Sequence, residues 1–123
     1  MTNRSLPRFW SISEHKYIDH TYYMQAVLNK GTEENPYGMM YKLYKDTSNY
    51  ELEMPTGLRD KNKKPIYEGD ILEDDNTKSD QGVVFFDKKS ARFLVRMYKY
   101  DQEKLIRRNV RVVGNIHEGV KHE

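Results

Sequence analysis

The chain has 123 residues, 37% of them apolar and 33% charged, with a formal net charge of +2. This is one ordinary domain's worth with room for a smaller lobe, and the charge is too small to argue for nucleic acid by itself. The absence of cysteine excludes disulfides, thiol chemistry and cysteine-type zinc sites. No apolar run approaches the roughly 20 residues of a membrane helix, and the opening MTNRSLPRFWSISEHKY has no continuous apolar stretch of the signal-peptide kind. A cytoplasmic protein with no membrane partner is therefore expected.

In chain order, Arg8-Phe9-Trp10 and Tyr17-Ile18 predict a hairpin across Ser13-Glu14-His15-Lys16. Residues 19–29 carry Tyr22, Tyr23, Met24, Ala26, Val27 and Leu28 between a capping Asp19 and a terminating Gly31, which favours a short helix. The tyrosines leave a strand as the alternative there. Met39–Lys45 and Tyr50–Met54 read as a pair of strands around Asp46-Thr47-Ser48-Asn49. Pro55-Thr56-Gly57 breaks the second of these. Arg59–Lys64 is a charged turn in which Asn62 suits a left-handed backbone. Pro65 sets an extended exit, Ile66-Tyr67 return to the core, and Gly69 permits the tight approach that starts the next unit.

The second half reads as short strands: Asp70–Glu73, Gly82–Phe86, Ala91–Tyr100, Lys104–Arg107 and Val110–Ile116, with Gly114 marking a bend or close approach. In ARFLVRMYKY, Phe93, Val95 and Met97 share one face, and Arg92, Leu94, Arg96 and Tyr98 the other. Strands this short favour closure, which removes edges. The expected fold is mainly β with minor α. It comprises an N-terminal β-rich lobe over 1–55, a connecting motif over 56–69, an SH3-like small barrel over 70–118 and a tail over 119–123. Charge is segregated: acids dominate from Glu68 to Asp80 and bases from Lys88 to Arg111.

TGLRDKNKKPIYEGDIL, Thr56 to Leu72, is similar to the signature of the YopX family of phage and prophage proteins: TGL, a DKNGK-like turn, then an I-[YF]-EGDI run. Val110 to Glu118 resembles the family's closing V-x-V-I-G-N-I-Y-E, and Arg8-Phe9-Trp10 with Lys16-Tyr17 resembles its opening. The sequence departs at Lys63, where the family usually has glycine, and at Ser11, where it usually has an acid. The resemblance implies a mostly β fold with an SH3-like C-terminal end and a phage or mobile-element source. It implies no particular reaction.

The motif residues Thr56, Gly57, Leu58, Asp60, Asn62, Tyr67, Glu68, Gly69, Asp70, Gly114, Asn115 and Ile116 read mainly as turn and junction chemistry, with a binding pocket as the alternative. The carboxylates Glu68, Asp70, Glu73, Asp74 and Asp75 lack calcium-loop spacing, and His15, His20, His117 and His122 lack metal-ligand spacing, so no cofactor or metal is expected. No nucleophile elbow, phosphate loop or dinucleotide fingerprint occurs. The expectation is a non-enzymatic binding or adaptor module whose partner is another protein or a second copy of the chain. The alternative is a nucleic-acid binder in which Arg92, Arg96, Tyr98, Lys104, Arg107, Arg108 and Arg111 combine cations with an aromatic ring.

Overall fold

The computed structural model describes residues 6–18, 45–76 and 80–121. Across them the chain is mainly β, with eleven strands in three antiparallel sheets. It divides into two compact units, Pro7–Glu53 and Met1–Leu6 with Met54–Glu123.

In the Pro7–Glu53 unit, β1 (Arg8–Ser11) lies between β2 (Lys16–Tyr17) and β3 (Tyr50–Glu53). The expected hairpin forms, and β3 joins it in a register running from Arg8↔Glu53 to Ser11↔Tyr50. Trp10 meets the Tyr17 ring edge-on at 4.9 Å, and the Arg8 guanidinium lies 4.5 Å over the same ring. Glu53 is buried, which an unpartnered carboxylate would not tolerate; it accepts from Arg8 Nε at 2.7 Å and from the Tyr17 hydroxyl at 2.9 Å. Residues 19–29, and Met39–Lys45 apart from its last residue, lie outside the described residues. Among the described residues, the strand beside β3 is β1.

The second unit opens with a two-stranded ribbon, β4 (Pro55–Arg59) against β5 (Pro65–Tyr67). The expected break at Pro55-Thr56-Gly57 falls instead at Met54, so the connecting motif itself contributes strands. Proline is tolerated as the first residue of an edge strand, and Gly57 (φ 85) sits within the register shift between Pro55↔Tyr67 and Arg59↔Pro65. In the turn, the left-handed residue is Lys63 (φ 65) rather than Asn62. The cause is the turn type: Lys63 N–H bonds Asp60 C=O, and Asp60 N–H bonds Lys64 C=O, both at 2.9 Å. A turn followed by one left-handed residue closes the ribbon, and that residue is usually glycine.

The larger sheet contains β6 (Asp70–Asp74), β7 (Gln81–Asp87), β8 (Arg92–Met97), β9 (Glu103–Leu105), β10 (Val110–Asn115) and β11 (Gly119–Val120). Its order is β11-β10-β6-β7-β8-β9. The five expected strands all form, and β10 returns beside β6. The ladder is nevertheless open, with β9 and β11 as its edges, so the expected closed SH3-like barrel is not formed by strand pairing among the described residues. The Val110 carbonyl, at the start of β10, accepts from Lys61 N–H at 2.9 Å instead of from a strand beyond β9. The stretch expected to be tail begins with β11, which pairs Gly119 and Val120 with Asn115 and Gly114.

Ile66, Leu72, Val84, Val95 and Val110 form the core of this unit, with Phe93, Met97, Ile106 and Val112 packed against them. One side chain from each of five strands, β5, β6, β7, β8 and β10, meets there, as period-two alternation along each strand allows. Gly82 makes the β7–β8 contact possible: a Cβ at that position would stand 2.6 Å from Val95 Cγ1 and 2.7 Å from the Arg96 carbonyl oxygen.

Candidate functional site

The motif residues converge, and they do so on one another. Asp60 is 6% exposed and accepts three backbone N–H groups: Asn62 and Lys64 on Oδ1, each at 2.8 Å, and Val112 on Oδ2 at 3.0 Å. It therefore ties the turn of the ribbon to β10. The Thr56 hydroxyl donates to the Ile66 carbonyl and accepts from Leu58 N–H. Glu68 and Met54 exchange two bonds, through Glu68 Oε1 and Glu68 N–H. Asp70 accepts from Tyr67 N–H at 2.8 Å, and the Tyr67 hydroxyl donates to the Leu6 carbonyl. Gly69 (φ 88) donates to Val84 C=O and accepts from Ile116 N–H. Asn115 Oδ1 accepts from His117 and Glu118 N–H, closing the turn into β11. At Gly114, a Cβ would fall 2.0 Å from the Gly119 carbonyl oxygen. These polar groups are engaged in holding two distant segments together, and among the motif side chains Leu58 and Ile116 are the large apolar groups left exposed.

The acids of the Glu68–Asp80 segment face different partners and do not converge. Glu73 pairs with Arg111 at 2.7 Å and accepts from Gln81 Nε2; Asp75 pairs with Lys61 at 2.6 Å; Asp74 accepts from Asn76 N–H. His15 occupies the β1–β2 turn with φ 57, and His117 the β10–β11 turn, while His20 and His122 lie outside the described residues.

Arg92 and Arg96 share a face as expected, and the other bases divide between the two faces and the loop after β9. Cross-strand partners share a face, so Arg92 (opposite Asp87), Arg96 (opposite Val83 and Glu103) and Arg111 (opposite Glu73) lie on the outer face of the sheet. Lys104, opposite Val95, points to the inner one. Arg96 is paired with Glu103 at 3.0 Å and lies 4.6 Å over the Phe85 ring. Arg92 Nε donates to Ser90 Oγ, which in turn donates to Asp87; this bond holds the Asp87 carboxyl below the usual carboxylate range. Leu94 stands between Arg92 and Arg96 on the same face and is buried. The outer face is thus mixed in charge and partly covered, unlike a phosphate-tracking stripe. Arg107 and Arg108 are exposed, with no acidic partner among the described residues.

Between β9 and the start of β10 lies a small open cleft with Leu72, Val95, Met97 and Val110 among its apolar lining. Lys104, Arg107, Asp74 and Asp80 add charged groups of both signs to its lining. Asp80 accepts the Tyr100 hydroxyl at 2.5 Å, which raises the Tyr100 pKa, and the Lys104 ammonium lies 5.6 Å from the centre of the same ring. Large apolar side chains stand exposed at this end: Tyr98 at 56%, Tyr100 at 42% and Leu105 at 60%. Burial nonetheless raises the Tyr98 pKa. Leu105 and Tyr100 are the residues sequence reasoning did not single out, and an apolar residue between Lys104 and Arg107 was the available signal.

The family model described as YopX protein matches residues 8–121 of the chain. No curated protein matches it.

Proposed function

Given that this chain belongs to the YopX family, we propose that it is a phage- or prophage-type accessory protein of the bacterial cytoplasm. In this reading it acts without catalysis, as a small binding module that docks a protein partner and associates with itself. The observation carrying the reading is the end of the larger sheet, where no strand beyond β9 pairs with it among the described residues, Leu105 lines an apolar-floored cleft, and Leu105, Tyr98 and Tyr100 stand exposed. Exposed aromatic and aliphatic groups beside a free edge are what a docking surface requires. The motif polar groups, in contrast, are already engaged within the fold.

A second reading, nucleic-acid binding, is favoured by the exposed Arg107 and Arg108, the first of which lines the cleft with Lys104. The two readings separate on salt dependence: phosphate contacts cost roughly 0.9 log unit of affinity per log unit of salt each, whereas an apolar interface is far less sensitive. The test compares host-lysate capture and sedimentation for the wild type and for Leu105→Glu, alongside anisotropy of mixed-sequence DNA and RNA across a salt series. Loss of captured partner and of self-association in Leu105→Glu supports the binding module. A steep salt slope weakened by Arg107→Glu/Arg108→Glu would replace it with the second reading.

A further inference from the structure

We propose that two copies of this chain join through β9, paired antiparallel about a two-fold axis centred on Leu105. This rests on the self-association in the reading above and specifies its surface and register.

The backbone supplies the first argument. Met97 N–H bonds Gln102 C=O at 3.0 Å. Bonded and non-bonded pairs alternate along an antiparallel ladder, so Val95↔Lys104 is bonded, while Arg96↔Glu103 and Leu94↔Leu105 are not. The N–H and C=O groups of Glu103 and Leu105 therefore point away from β8, to an edge that no strand occupies among the described residues. They are the groups an added strand would bond.

The side chains select the register. A two-fold axis perpendicular to the sheet keeps outer faces together, so it must pass through a residue that meets its own copy. Centred on Glu103, it sets carboxylate against carboxylate; centred on Lys104, ammonium against ammonium. Both juxtapositions are unfavourable. Centred on Leu105, it sets Leu105 against the other Leu105, covering a side chain that is 60% exposed. The same register brings Glu103 opposite Arg107 twice over, and Lys104 opposite Ile106. Arg107 has no acidic partner among the described residues, and Glu103, though paired with Arg96, is itself partly open at 44% of its side chain. The backbone direction, the apolar contact and the charges thus agree on one register out of three. An association built on so short a strand is weak and concentration-dependent.

Sedimentation velocity over a concentration series tests it, with far-UV circular dichroism confirming the fold of each variant. Leu105→Pro removes an N–H that faces solvent in the single copy and a bond at the centre of the pair, so the fold should survive and the dimer should be lost. Arg107→Glu should weaken dimerisation about tenfold by facing Glu103 with a second carboxylate, and Glu103→Arg/Arg107→Glu should restore it. A dimer unaffected by Leu105→Pro, or a double variant no better than Arg107→Glu alone, would overturn this register while leaving self-association standing. A wild type that stays monomeric at every concentration would overturn both.

Discussion

Replacing Asp60 by asparagine changes one atom's chemistry at a buried junction, and the cost can be worked out from the contacts. The carboxylate accepts two N–H groups on Oδ1 and one on Oδ2. An amide of the same shape has one acceptor atom and one donor group. With its oxygen kept in the turn, the Nδ2 group faces Val112 N–H, donor against donor; flipped, it faces two donors instead. The better arrangement still loses a bond to a charged acceptor, worth about 1.5–3 kcal/mol, and strands a backbone N–H. A net loss of about 2–4 kcal/mol follows, or roughly 10 °C in Tm for a chain of this size. Urea unfolding followed by far-UV circular dichroism measures it, with Asn62→Ala as a control that keeps the Asn62 backbone bond and should stay within about 0.5 kcal/mol of wild type. An Asp60→Asn variant equally close to wild type would refute the claim that this carboxylate clamps the ribbon to β10.

Lys63→Gly should stabilise the protein by about 0.5 kcal/mol, because relief of a left-handed non-glycine backbone exceeds the entropy a glycine adds to the unfolded chain; a lower unfolding midpoint would contradict it. Gly114→Ala should detach β11, since its Cβ would lie 2.0 Å from the Gly119 carbonyl oxygen; amide exchange at Lys121, which bonds Val113 C=O at 2.7 Å, reports this directly. Ultraviolet difference titration should show Tyr100 losing its proton above the ordinary tyrosine pKa, because the Asp80 carboxylate accepts its hydroxyl. With the folded pKa raised, that contribution is full below about pH 10 and fades as pH rises through the folded value. Asp80→Asn should return Tyr100 toward normal, and an unchanged titration would exclude the bond as the cause.

The strands from Gln81 to Asn115 were legible because alternation is a local signal, readable from residues such as Val84, Val95 and Met97 without knowing their partners. The ribbon was not. Pro55 and Gly57 look like breakers, and only the pairing with Pro65–Tyr67 shows one as a strand start and the other as part of a shifted register. β11 has two residues and no pattern to read. The surroundings of the bases were legible only in part: residue parity placed Arg92 and Arg96 on one face, and their partners Ser90 and Glu103 lie close in sequence, but those of Arg111 do not. Glu73 reaches Arg111 across 38 positions, and no local window contains that information.

The Pro7–Glu53 unit begins and ends in strands that pair with each other, Arg8 opposite Glu53. Entry and exit are therefore only a strand spacing apart, about 5 Å. A segment closed off in this way behaves as a cassette. It can lengthen, shorten or be exchanged in evolution, or be cut out and bridged by a short linker, without asking the flanking chain to move its ends. Leu6 and Met54, the residues on either side, are anchored independently, through Tyr67 and Glu68.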